Sequence, residues 1–177
     1  AGSVTFINLE GTRPILIEIQ ALVDKSMLPN PKRLTVGTDA QRLTMLLAIL
    51  HRHVTLSTYD QDVFLNAVGG IKINETASDL AVLIAIVSSM TNQAVSSKTA
   101  IFGEVGLGGE IRPVSRGQER IKEASKLGFK RIIVPLKNKA SDIPDVEIIG
   151  VDNLRDAVKV VFGSNRVKND EQIYPDE

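Results

Sequence analysis

Eight consecutive apolar residues, LAVLIAIV at Leu80–Val87, constrain this chain more than any other feature of it. Led in by the polar stretch INETASD, they read as the body of a helix over about residues 78–90 that is apolar almost all round. A helix with no polar face belongs in the middle of a domain. The run falls far short of the ~18 residues that would cross a bilayer, and no other segment approaches that length. The rest of the chain must therefore wrap around it. A chain of 177 residues is enough for one domain, which at that size hides roughly 70% of its unfolded surface.

The wrapping elements can be read in order. Ile15, Ile17, Ile19 and Ala21 alternate with Glu18 and Gln20, the pattern of a half-buried strand. Val4–Leu9 and Leu34–Gly37 are its expected partners, and Asp62–Val68 is a further strand ended by Gly69 and Gly70. Asp39 is placed to cap a helix that carries Leu43, Leu46, Leu47 and Leu50 at i, i+3, i+4 and i+7. After the central helix the reading is a strand Ala100–Val105, a glycine turn and Glu110–Arg112. Ser115 then caps a helix ending at Gly128, a residue suited to the left-handed position after a helix. Strands Arg131–Val134 and Glu147–Val151, and a helix bearing Leu154, Ala157, Val158 and Val161, complete one domain over 1–163. The last stretch, 164–177, has too little apolar content to pack and is expected to be disordered. Strands first and alternation later give an α+β, or mixed α/β, class.

Much chemistry is excluded. There is no Cys, so no disulfide and no thiolate metal site, which suits a reducing cytoplasm. His51 and His53 are i and i+2 on a helix and point to different faces, so they cannot chelate a metal together. No G-x-x-x-x-G-K-[ST] phosphate loop, G-x-G-x-x-G turn or G-x-S-x-G elbow occurs. The N-terminus AGSVTFINLEG has neither the charged nor the apolar region of a signal peptide; it begins almost inside a strand, as a piece of a longer protein would.

One hydrolytic arrangement survives, a serine–lysine dyad. It would use Ser78 at the mouth of the central helix, where backbone N–H groups can hold an oxyanion, with Lys72 or Lys122 as base. Against it, Ser and Asp before an apolar helix are commonly caps, and Asp79 complements the helix dipole.

The motifs then become specific. FGEVGLGGEIRPVSRGQERIKEASKLGFKRIIVP (102–135) resembles the proteolytic domain of the Lon protease family, through Gly103, Glu104, Leu107, Gly109, Ile111, Pro113 and Val114. Laid on that pattern, the nucleophile position falls on Ala77 and the base lysine on Gln118, with Ser78 one place late. The resemblance thus implies a Lon proteolytic-domain-like fold (ribosomal protein S5 domain 2-like) whose peptidase chemistry has been removed. The blocks LEGTRPILIEIQALV, DAQRLTMLLAILHRH, DVFLNAVGGIKINETASDLAVLIAIVSS and GEVGLGGEIRPVSRGQERIKEA are similar to the C-terminal Lon-like domain of the bacterial RadA/Sms DNA-repair family, in order and spacing up to Gly163. That resemblance implies part of a hexameric ATP-driven helicase of recombination and repair, this part binding DNA and supporting ring assembly without cutting peptides. The implied partners are DNA, further copies in a homo-hexamer and the recombinase RecA. The implied ATP, Mg and Zn belong to N-terminal domains outside this chain, and the family's K-N-R-F-G motif is absent here.

Charge distribution says where a polyanion would sit. The formal net charge is zero, yet Arg112–Lys139 holds nine Lys/Arg against Glu119 and Glu123, while residues 140–177 hold nine Asp/Glu against four Lys/Arg. The candidate phosphate contacts are Arg112, Arg116, Arg120 and Lys122, with Lys72 on the same side and Arg42, Arg33 and Arg13 as a second group. The competing expectation is that several of them pair with Glu104, Glu110, Glu119 or Asp79. Phe129 is the one aromatic within the basic stretch, too few to interleave it as a base-stacking platform, so sequence-independent backbone binding is the expected mode. Two other readings stand beside this one, a serine peptidase and a purely structural ring-forming module.

Overall fold

The computed structural model describes residues 1–163; the tail expected to be disordered lies outside them. Strands β1 (Ser3–Glu10), β2 (Arg13–Lys25), β3 (Arg33–Val36) and β4 (Gln61–Ala67) enclose helix α1 (Ala40–Val54). The apolar run lies in α2 (Asp79–Thr91), entered through a 3-10 turn at Thr76–Ser78. Then come β5 (Thr99–Ile101), the short pair β6 (Glu104–Val105) and β7 (Ile111–Arg112), α3 (Gly117–Lys126), β8 (Arg131–Pro135), β9 (Glu147–Val151) and α4 (Leu154–Phe162). Seven strands make one mixed sheet in the order β3-β4-β2-β1-β5-β8-β9. The β1–β2 hairpin and the β2–β4 pair are antiparallel, and the remaining pairs of this sheet are parallel. The mixed α/β class expected from the sequence is the one observed.

The period-two alternation of β2 decides the layering. Ile17, Ile19, Ala21 and Val23 join Val63, Leu65 and Ala67 on one buried face. Helices α1 and α2 cover that face, with α4 packed beside them. All residues from Leu80 to Val87 are buried, as a helix without a polar face requires. Its three polar residues near the end are not orphans, and Thr91 Oγ1 donates to the Val87 carbonyl at 2.8 Å. Ser88 Oγ accepts the Gly2 N–H at 2.8 Å and donates to the Gln93 carbonyl, and Ser89 Oγ accepts the Val23 N–H at 2.9 Å. On the opposite face α3 packs over β1, β2 and β8.

Several local expectations are met and three are corrected. Asp39 caps α1 by accepting from the N–H groups of Gln41 and Arg42, and Gly128 follows α3 with φ of 88°. Ser115, however, caps nothing. The residue before α3 is Arg116, itself left-handed at φ 55°, and no side chain caps the helix. The strand expected over Ala100–Val105 breaks at Phe102–Gly103, because the chain there bonds to the start of the central helix instead. The Gly103 N–H donates to the Ala77 carbonyl at 2.8 Å and the Leu80 N–H donates to the Gly103 carbonyl at 3.0 Å. A side chain at Gly103 would press on Ile111, Pro135 and Leu80. The third correction concerns Ser78, whose hydroxyl turns back to the Glu75 carbonyl at 3.0 Å instead of capping α2.

Candidate functional site

Two ion pairs brace the entry to α2. Asp79, the first residue of that helix, is almost fully buried and accepts from the Arg42 guanidinium with both oxygens, and from the Val105 N–H at 3.0 Å. Burial raises the Asp79 carboxyl above the ordinary carboxylate range, while the Arg42 bond and the Val105 N–H pull it back. The same hydrogen bond holds the Arg42 guanidinium in its charged form against its partial burial. Four residues earlier, Glu75 takes the Arg120 guanidinium on both its oxygens at 2.6 and 2.9 Å, and also accepts the Leu9 N–H. Arg120 is entirely without solvent exposure. It donates further to the Ser115 and Ile7 carbonyls and lies 5.7 Å from the Phe102 ring centre.

This arrangement revises the candidate DNA contacts. Arg120 cannot reach a phosphate, because its charge is spent inside the protein joining α3 to β1 and to the turn before α2. Three of its neighbours in sequence stay outside: Arg112, Arg116 and Lys122 are exposed. Arg112 rests 3.3 Å from Glu110 and Arg116 4.0 Å from Glu119. Such exposed pairs contribute little and exchange readily for other anions. Glu110 is held below the usual carboxylate range by its own backbone N–H, with help from Arg112. In the second group, Arg42 is committed to Asp79, and Arg33 donates to the Gln61 and Thr58 carbonyls. Arg13 remains exposed at the β1–β2 turn, opposite Glu10, and Lys72 is exposed beyond Gly70.

Lys137 and Lys139 were not singled out by spacing, yet the fold sets them beside the start of α3. Asn138 Oδ1 accepts the Val114 N–H at 2.8 Å and its amide donates to the Val114 carbonyl at 3.1 Å. The Gln118 amide donates to the Asn138 carbonyl at 2.6 Å. The 3-10 turn Leu136–Asn138 is thereby laced to the segment that carries Arg112 and Arg116, and both lysines are exposed. Nothing along the chain signals this contact; it depends on one asparagine twenty or more residues away.

Ala77 is buried, with its carbonyl on Gly103, and the Gln118 amide is on Asn138. A cleft of about 200 Å³ opens in front of α2, lined among others by Thr38, Arg42, Asn74, Glu75, Thr76 and Ser78. Lys72 and Lys122 are not among its walls. The glycine-rich turn between β6 and β7 is a hairpin closed by Gly106 and Glu110, with His53 Nε2 at 2.9 Å from the Leu107 carbonyl. Among the described residues no group of three His, Asp or Glu could hold a metal, and no helix is long and apolar enough to cross a membrane.

Comparison with known proteins adds kinship to this geometry. The family model described as subunit ChlI of Mg-chelatase matches residues 45–138, just over half of the chain. The chain is 56% identical over 162 residues to DNA repair protein RadA of Pseudomonas aeruginosa, 91% of its own length and 36% of the relative's. It is 54% identical to RadA of Escherichia coli, covering 90% of this chain and 35% of that one. With RadA of Bacillus subtilis the identity is 44%, over 92% of this chain and 36% of the relative. The chain thus spans about a third of the length of the curated relatives it matches. It belongs to the family that the ChlI model describes, in the form carried by the RadA DNA repair proteins.

Proposed function

We propose that this chain is a non-catalytic, Lon-like DNA-binding and oligomerisation domain of a RadA-type protein, an ATP-driven helicase acting in recombination and repair. The observation that carries the reading is the exposed basic corner formed by Arg112, Arg116 and Lys122 with Lys137 and Lys139 laced alongside. A cluster of exposed cations grips phosphates without reading bases, and each contact releases counterions. The buried fate of Arg120 supports the same corner indirectly, since its four bonds hold the start of α3 in place. At the positions where the Lon pattern has nucleophile and base, Ala77 has no hydroxyl and the Gln118 amide cannot take a proton, which argues against peptide hydrolysis.

The test is fluorescence anisotropy of labelled single- and double-stranded DNA, titrated with salt. The expected result is an affinity that falls steeply with salt, and a slope about two smaller in an Arg112→Ala/Arg116→Ala variant. Arg120→Ala is unsuitable for this purpose, because it would report folding. If the chain leaves DNA unbound at low salt while still assembling, the ring-forming module is the correct reading. Casein cleavage that disappears in Ser78→Ala would instead establish the peptidase.

A further inference from the structure

The glycines of the β6–β7 turn are not there for one reason. Gly109 has φ of 78° and is glycine for its backbone. Gly106 and Gly108 have no positive φ, so their backbone would accept any residue. What they lack is a Cβ, and the Glu110 carboxylate fills the space. A Cβ on Gly106 would overlap Glu110 Oε1, and one on Gly108 would come within 2.8 Å of Oε2. The side chain is thus folded back over its own turn, although it is 45% exposed and could extend into water.

The groups around that carboxylate are donors. Arg112 Nε donates to Oε1 at 3.3 Å. The N–H groups of Glu110 itself and of Gly108 help to hold the carboxyl in its charged form. The Gly106 and Gly109 N–H groups close the turn onto the Glu110 and Gly106 carbonyls, and those of Leu107 and Gly108 meet no main-chain carbonyl among the described residues. His53 Nε2 donates to the Leu107 carbonyl and steadies the outer side of the turn. Free N–H groups on a turn beside an arginine form a concavity suited to an anion.

We infer that the β6–β7 turn is a phosphate cradle that Glu110 occupies in the absence of a ligand, and that a phosphate group displaces Glu110 onto solvent and takes Arg112 and the Gly108 N–H. The Glu110–Arg112 pair is exposed on both sides and contributes little, so another anion can take its place. Arg112 then grips a phosphate only when Glu110 lets go, which makes the turn a gate on the basic corner. The phosphate is that of a DNA backbone or a free one. For DNA the inference rests on the function proposed above; for free phosphate it stands apart from it.

The test follows the Gly108 amide in ¹⁵N spectra of the 177-residue chain, titrated with inorganic phosphate at constant ionic strength. Glu110→Ala should respond at roughly tenfold lower phosphate than the unmodified chain, the gain when a site closed about nine-tenths of the time is opened. Glu110→Gln, which keeps an acceptor oxygen and loses the charge, should fall between and serves if Glu110→Ala does not fold. Glu119→Ala frees Arg116 but opens no cradle, and should leave the Gly108 response unchanged. Gly106→Ala added to Glu110→Ala puts a methyl group in the cradle and should abolish the response. A short oligothymidylate at low salt that also moves Gly108 assigns the DNA backbone as the source, and phosphate acting alone assigns the free ion. A Gly108 amide unmoved by about 100 mM phosphate in both Glu110 variants, with their other amides at folded positions, would overturn the inference. So would a response that survives Gly106→Ala. The phosphate titration contains no DNA, so its failure is distinct from a failure to bind DNA in the anisotropy assay.

Discussion

At the residue scale, the two buried arginine–carboxylate pairs matter most, and they differ in what they hold. Arg42 compensates Asp79, whose carboxyl burial raises above the ordinary range. A raised folded-state pKa means that the folded chain binds the Asp79 proton more tightly than the unfolded chain. The contribution of this group to stability therefore falls as pH rises from the unfolded carboxylate value, about 4, through the folded one. Removing Arg42 raises the carboxyl further. We expect Arg42→Ala to lose about 3–5 kcal/mol at pH 7 and distinctly less near pH 4, read from urea unfolding at both values. A loss of equal size at both would remove Asp79 from the explanation. Arg120 is wholly buried and ties α3 to one strand, to the loop before that helix and to the turn before α2 at once. Arg120→Ala should cost at least about 3 kcal/mol, and Glu75→Gln combined with Arg120→Met should recover part of that, since no uncompensated buried charge remains.

At the scale of elements, the same residue type has opposite weight on the two faces of the sheet. Leu83 lies in α2 with no exposure, whereas Leu34 sits on the bare end of β3. Leu83→Ala should cost about 2–5 kcal/mol through lost contacts and a residual cavity, and Leu34→Ala within about 0.5 kcal/mol, both measured by chemical denaturation. The turn that carries Lys137 and Lys139 depends on Asn138, which makes two bonds to Val114 through its side chain. Asn138→Ala should cost about 1–3 kcal/mol. It should also weaken DNA binding although no cation has been removed. Unchanged affinity in the salt-titrated anisotropy assay would separate those lysines from the proposed corner.

At the scale of the whole molecule, the neutral total charge conceals a division that the fold keeps. The basic stretch from Arg112 to Lys139 is gathered around α3 and the turn after β8, away from the bare apolar end at β3. The proposed phosphate contacts thus lie away from the bare ends of β2, β4 and β3. A substitution at that bare end, Leu34→Glu, is expected to leave the salt dependence of DNA binding in the anisotropy assay unchanged.

Periodicity by itself determined the mixed class, the buried central helix, the two-faced β2 and the Asp39 cap, because these depend on residues a few positions apart. The separated sequence blocks likewise determined the kinship with the RadA proteins. Only the tertiary structure decided which arginines face water. Arg112, Arg116 and Arg120 look alike along the chain, but a partner 45 residues away in Glu75 turns Arg120 inward. It also decided that Ser78 serves the Glu75 carbonyl, that the strand after α2 breaks at Gly103, and that the turn carrying Lys137 is tied to the segment before α3. Each of these is settled by a hydrogen bond or a close approach between distant segments. The energy of such contacts depends on where the fold brings the backbone, which no local pattern carries.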